Sequence, residues 1–261
     1  MSSTQPGVLF TINDSGNEPL LFAVDTTGSV RGIWRVQNAQ NVDWEAVSIG
    51  PCGSQPKPPA GSCVYVGDVG DNLETIPVRA IYRMPEPAAG DRLLEGAIAA
   101  ERLVFRYPDG PHDVEAMYVA PNGDVVLITK RRRLAADRRM RPALVFTLPA
   151  SAWAVGKIAV ATLTDSLPIV PGSARLRTIT DAALSPDARF LAVRTYGEVF
   201  VFNVDSASGR PRGAPSVCDI TRVQKANGEG ITWVGRTNAL LLTGEGSREP
   251  MYIVRCPLPK E

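Results

Sequence analysis

The sequence predicts an all-β chain folded as a five-bladed β-propeller of antiparallel four-stranded blades, and three observations predict it. Short apolar runs rich in Val, Ile, Leu, Phe and Tyr recur along all 261 residues. Turn signals such as "PNGD", "SPDAR" and "DTTG" separate them. A phrase made of an acid and then a strand-like run returns at "DWEAVSI", "DVEAMYV", "TDAALSP" and "GEGITWV". One supersecondary unit repeated at about fifty residues builds a ring whose sheets bury their faces on one another and leave few open edges. A six-bladed ring is the alternative.

Taken in order, "GVLFTINDSGNEPLLFAVD" (7–25) lies over "NALLLTGEGSREPMYIVRC" (238–256): strand, acidic turn, Glu-Pro, strand. Between them come "CVYVGDVGDN" with "RAIYRMPEP", "DVVLITKRRR" with "ALVFTLPA", and "RFLAVRTYG" with "EVFVFNVD". The spacing places blade 1 at about 8–38, blade 2 at 41–108, blade 3 at 112–168, blade 4 at 176–222 and blade 5 at 227–257, all one domain. Blade 1 starts on what reads as its second strand and little follows Cys256, so an inner strand for blade 1 and an outer strand for blade 5 are expected to be absent. Strands supplied in trans by a homo-oligomer would fill those places. Helical periodicity is scarce: "RRRLAADRRMR" (131–141) suits a short helix and "PASAWAVGK" (149–157) a single turn.

Composition narrows the function. Lys+Arg of 28 against Asp+Glu of 27 leaves +1, so no global field draws the chain to nucleic acid. No apolar run approaches the roughly 18 residues of a membrane span. Cys52 and Cys63 bracket the Pro/Gly loop "GSQPKPPAGS", where a disulfide is expected, and Cys218 pairs with Cys256 by elimination; buried free thiols are the alternative. Oxidised pairs imply a secreted or periplasmic protein whose signal peptide is not in this sequence, and free thiols would leave the cytoplasm open.

The chemistry is expected at the ring axis. The inner strands align Glu45, Glu115, Asp181 and Glu229, with Asp43 and Asp113 two residues earlier on two of them. The next strands end on Asp14, Asp68, Lys130, Arg194 and Glu245. Carboxylates crowded into one cleft raise each other's pKa, so they need a hard cation, a network with Lys130 and Arg194, or a hydrated channel. All three remain open. In the first, Asp14, Glu45, Glu115, Asp181 and Glu229 bind Ca²⁺, with Asn13 or Asn72 adding oxygens. Asp68, Lys130, Arg194 and His112 are then candidate substrate contacts, and Lys130, Arg194 and Glu245 candidate catalytic groups.

Other segments have plainer readings beside functional ones. "DVGDN" and "NDSGN" suit hairpin turns with side-chain-to-backbone bonds, or a partial Ca²⁺ loop. "KRRRLAADRRMR" suits a solvated loop or a phosphate contact, and Trp44, Trp233 and Tyr118 suit packing between blades. His112 is the one histidine, which excludes a His-rich zinc centre.

The phrases "TINDSGNEPLLFAVD", "NVDWEAVSI", "YVGDVGDN", "IYRMPEP", "DVEAMYV", "LSPDARFLAVRTY" and "GEGITW" together resemble a group of uncharacterised bacterial β-propeller proteins of WD-repeat-like and phytase/esterase-like kind. More distantly the chain is similar to calcium-dependent propeller hydrolases: phytases, lactonases and gluconolactonases. That resemblance implies a propeller whose axial carboxylates, here Glu45, Glu115, Asp181 and Glu229, hold Ca²⁺ for hydrolysis of a small phosphoester, ester or lactone. A non-catalytic platform for protein or glycan, with structural axial salt bridges, is the other reading.

Overall fold

β-Branched and aromatic residues in short runs favour strands, and among the described residues the chain forms twenty of them with a single 3-10 turn at Ala150–Ala154. This computed structural model describes residues 1–53, 61–130, 141–154, 156–170, 176–223, 227–246 and 249–260. Residues 131–140 of the expected helix, and most of the Pro/Gly loop, lie outside the described residues.

In chain order the strands are β1 (Val8–Ile12), β2 (Leu20–Asp25), β3 (Val30–Gln37), β4 (Trp44–Pro51), β5 (Ser62–Asp68), β6 (Arg79–Pro85), β7 (Leu94–Ala99), β8 (Glu101–Arg106), β9 (Val114–Val119) and β10 (Val125–Thr129). They continue with β11 (Ala143–Leu148), β12 (Ala159–Val160), β13 (Thr162–Leu167), β14 (Ile179–Leu184), β15 (Phe190–Thr195), β16 (Glu198–Val204), β17 (Pro211–Asp219), β18 (Gly228–Trp233), β19 (Ala239–Gly244) and β20 (Tyr252–Arg255).

Five sheets result, the arrangement of a five-bladed propeller. Blade 1 is β1-β2-β3, blade 2 β4-β5-β6-β8, blade 3 β9-β10-β11-β13, blade 4 β14-β15-β16-β17 and blade 5 β18-β19-β20, each a run of antiparallel neighbours. Two short strands cross between blades. β7 leaves blade 2 to pair parallel with β3, and β12 leaves blade 3 to pair parallel with β8, so each covers the outer edge of the preceding blade.

The inner strands β4, β9, β14 and β18 pack side by side, and β1 meets β4 as the second strand β15 meets β18. β1 therefore stands in a second-strand place, at the edge of its sheet. Residues 1–7 join this region to its neighbours: Met1 N donates to Thr232 Oγ1 at 3.0 Å and Thr4 Oγ1 to Glu86 at 2.7 Å.

The cores lie between blades. Phe10, Trp34, Trp44 and Tyr82 fill the layer between blades 1 and 2. Tyr65, Met117 and Phe146 fill the next, Tyr118 and Phe202 the third, and Val201 and Trp233 the fourth. Each such side chain contributes roughly 1.5–3 kcal/mol by leaving water. Their polar ends are satisfied: Trp44 Nε1 donates to Gln40 O at 2.9 Å, Trp233 Nε1 to Ala183 O at 2.9 Å, and Tyr118 Oη to Gly209 O at 3.0 Å.

All four cysteines are paired, Cys52 with Cys63 and Cys218 with Cys256. The bridges close sequence separations of 11 and 38 residues. Loop entropy makes them worth about 3 and about 4 kcal/mol. Urea unfolding of the two paired Cys→Ser variants should show the larger loss for Cys218/Cys256, and equal losses would contradict the entropic account.

Candidate metal centre

Three inner strands carry a β-bulge on an acid. In blade 2, Trp44 pairs with Asp68 and Ala46 with Gly67, which leaves Glu45 over. Blade 3 skips Glu115 between Val114 and Ala116, and blade 5 skips Glu229 between Gly228 and Gly230. A bulged residue escapes the strict alternation of the strand, so its side chain is re-aimed. Blade 4 differs from the sequence alignment by one residue: its bulge falls on Thr180, and Asp181 stands one place further along, paired with Arg194. A bulge is a backbone event with no signature in side-chain pattern.

Glu45, Glu115, Asp181 and Glu229 nonetheless line one cavity of about 410 Å³, together with Asp14, Asp43, Lys130, Tyr196 and Glu245. Asp14, Asp43 and Glu45 bring one carboxylate oxygen each to within 4.8 Å of one another. Oxygens sharing one Ca²⁺ at 2.3–2.6 Å lie at most about 4.6–5.2 Å apart, so this spacing suits that ion. Among the described residues none of the three forms a salt bridge. Asn13 beside them has a buried carbonyl oxygen, Oδ1, with no hydrogen-bond donor. An all-oxygen set with an unmatched carbonyl fits a hard cation.

The loop that carries Asp14 is fixed from below. Asn13 Nδ2 donates to Glu18 O at 2.9 Å, and Asn41 Nδ2 donates to Asp14 O at 2.8 Å. Asp43 and Glu45 share a hydrogen bond. Burial, then the Glu115 and Asp43 charges, push Glu45 up to about 10.

The remaining sequence candidates are differently occupied. Lys130 Nζ bonds Glu115 Oε1 and lies 4.0 Å from Asp113 Oδ2. Arg194 is wholly buried and its Nη1 donates to Gly230 O at 2.5 Å and Thr243 O at 2.6 Å, tying blade 4 to blade 5. Asp181 Oδ2 accepts from Ile231 N at 2.8 Å. Glu229 Oε1 accepts from Tyr196 Oη at 3.2 Å. Glu245 is exposed at the cavity rim. His112 lies away from the cavity lining, bonded to Asp109 at 2.9 Å, with its ring against Tyr107 and Phe146. Asp68 also lies behind that lining, buried against Arg79 at 3.2 Å.

Sequence reasoning missed Arg79, Gly70 and Tyr196. Only Gly70 had a signal, as the one glycine inside the acidic "DVGDN". A Cβ there would stand 2.6 Å from Asp43 Oδ2 and 2.6 Å from Glu45 Cγ. A side chain at this position would force the two carboxylates apart.

Burial sets an unusual pH response. Desolvation lifts Asp181 from 3.8 to about 7, although Ile231 N, Ala182 N and Arg194 oppose it. It lifts Glu115 from 4.5 to about 7 against the pull of Lys130. An acid whose folded value is raised holds its proton more tightly when native, so its stabilising contribution is full below the unfolded value and is lost as pH rises through the folded one. Glu45 is raised in the same sense. In chelator, urea midpoints should therefore fall between pH 5 and pH 7; a rise over that interval would contradict the assignment.

No protein-family model and no curated protein matches the chain. Solved structures do. The Dos1 propeller aligns at 11% identity over 87% of this chain and 60% of its own, with a TM-score of 0.35. The periplasmic gluconolactonase PpgL of Pseudomonas aeruginosa aligns at 12% identity over 97% of this chain and 68% of its own, with a TM-score of 0.42. The chain thus spans about 60% of the length of the first of these propellers. Among the described residues no helix is long and apolar enough to cross a membrane.

Proposed function

We propose that this chain is a secreted or periplasmic propeller that binds Ca²⁺ through Asp14, Asp43 and Glu45 and acts on a neutral ester or lactone in the adjoining cavity. The observation that carries the reading is the convergence of three carboxylates, none in a salt bridge among the described residues, beside the unmatched Asn13 carbonyl. The two disulfides support export. A bound Ca²⁺ supplies Lewis acidity toward a carbonyl oxygen.

The chain's own residues do the rest. Trp44 and Val47 give the cavity an apolar wall, and Thr11 and Thr243 add hydroxyls to its lining. Glu229, held by Tyr196 and raised in pKa by burial, is a carboxylate outside the proposed ligand set that faces the same space. It is the group placed to take a proton from water. A phosphoester fits less well, because Lys130 is engaged by Glu115 and Arg194 by two carbonyls, and the rest of the lining is rich in carboxyl oxygens.

The same engagement of Lys130 and Arg194 favours a second reading, in which the axial charges are structural and the propeller is a platform for protein or glycan. Thermal melts separate the two. Ca²⁺ should raise the melting temperature relative to chelator, and Glu45→Gln should abolish the shift. Superimposed curves for the parent protein would remove the cation and leave the platform. With the shift established, chromogenic esters and lactones should be turned over while phosphate esters are not; uniform inactivity counts against catalysis.

A further inference from the structure

Behind the three carboxylates, away from the cavity, stands a buried ion pair that the ring itself does not require. Arg79, 4% exposed at the start of β6, extends Nη2 to Asp68 Oδ1 at 3.2 Å and toward Asp43 O at 3.5 Å. The same Asp68 oxygen accepts the Asp43 main-chain N–H at 2.8 Å. Asp43 O also accepts Val69 N and Gly70 N, each at 3.1 Å. Both main-chain polar groups of Asp43 are thus taken up by the turn that follows β5, with one guanidinium reaching across them.

Other blades show which part of this is common property. Lys130 N donates to Asp113 O, Tyr196 N to Thr178 O and Glu245 N to Asn227 O, as Val69 N does to Asp43 O, so that bond belongs to the repeat. The acid and the arginine do not. The register places of Asp68 are Thr129, Thr195 and Gly244 in blades 3, 4 and 5, and those blades form their bulges without a carboxylate there. Only the blade that carries Asp43 and Glu45 has the pair.

From this we infer that Arg79 is a positioning residue for the cation site, fixing the main chain of Asp43 through Asp68; the inference rests on reading Asp14, Asp43 and Glu45 as cation ligands. Burying Asp68 beside the site is tolerable only with a cation paired to it. One guanidinium nitrogen, Nη2, meets both the carboxylate and the carbonyl, and a lysine side chain, one bond shorter, stops short of that position. Arg79 does not line the cavity, so it touches no ligand there and acts through its neighbours.

The test uses Tb³⁺ luminescence sensitised by Trp44, which lines the same cavity, with Ca²⁺ as competitor. Arg79→Lys and Asp68→Asn should each weaken Ca²⁺ at least tenfold while near-ultraviolet circular dichroism stays native. The double variant Asp68→Asn with Arg79→Met, which leaves no buried charge unmatched, should bind no more weakly than the worse single change, because both act on one linkage. It also keeps the measurement open should Arg79→Lys fail to fold. Parent-like Ca²⁺ affinity in the double variant overturns the inference alone. Absence of Tb³⁺ and Ca²⁺ binding by the parent protein overturns the cation reading, and this inference with it.

Discussion

Gly70→Ala should abolish the proposed Ca²⁺-dependent rise in melting temperature while the propeller still folds. The new methyl would stand 2.6 Å from both Asp43 Oδ2 and Glu45 Cγ, a separation real side chains do not keep. Relief requires the carboxylates to move, because the Gly70 backbone is held by Asp43 O at 3.1 Å. The cost in stability should be small, because the atoms met belong to side chains bordering an open cavity, but the displaced oxygens no longer converge on one ion. Melts with Ca²⁺ and with chelator read both effects together. A variant that keeps the full Ca²⁺ shift would show that Asp43 and Glu45 are not the ligands.

The largest loss of stability is expected at Arg194. Its guanidinium is wholly buried and bonds the carbonyls of Gly230 and Thr243, so a blade 4 side chain satisfies two blade 5 backbone groups. Burial lowers its pKa to about 10, and the Asp181 and Glu229 charges oppose that shift. Arg194→Met removes the charge-assisted bonds and leaves enclosed acceptors unmatched. The cost should be about 3–5 kcal/mol, since each buried carbonyl left without a donor accounts for about 1–3 kcal/mol. Urea titration measures it; a change below about 0.5 kcal/mol, as for an ordinary surface position, would contradict the account.

Both predictions depend on contacts that differ in how far the sequence displays them. The repeat of an acid before an apolar run was visible because strands of one blade are contiguous, and it led to Glu45, Glu115, Asp181 and Glu229, which do share a cavity. The cysteine pairs were visible for a similar reason, since few cysteines leave few choices. What stayed hidden was lateral. β7 and β12 pair with strands of the preceding blade, which no local pattern announces. The blade 4 bulge on Thr180 shifts Asp181 by one residue, and bulges are backbone adjustments to twist.

Side-chain partner choice was hidden in the same way. Lys130 and Arg194 were open to a substrate role or to an ionic network with the axial acids; Lys130 lines the cavity and bonds Glu115, while Arg194 bonds main chain. Asp68 carried the substrate expectation, and it faces Arg79. Their spacing along the chain is identical whether a charged group points to the axis or back into the sheet. Asp14, exposed in a turn that resembled any other, joins Asp43 and Glu45 only because blades 1 and 2 are adjacent in space.

The most direct test is anomalous diffraction from crystals soaked in Ca²⁺ and, separately, in Tb³⁺. A single strong peak bonded to carboxylate oxygens of Asp14, Asp43 and Glu45 is the predicted result. Peaks confined to Glu115, Asp181 or Glu229, or no peak within bonding distance of the three, would contradict it.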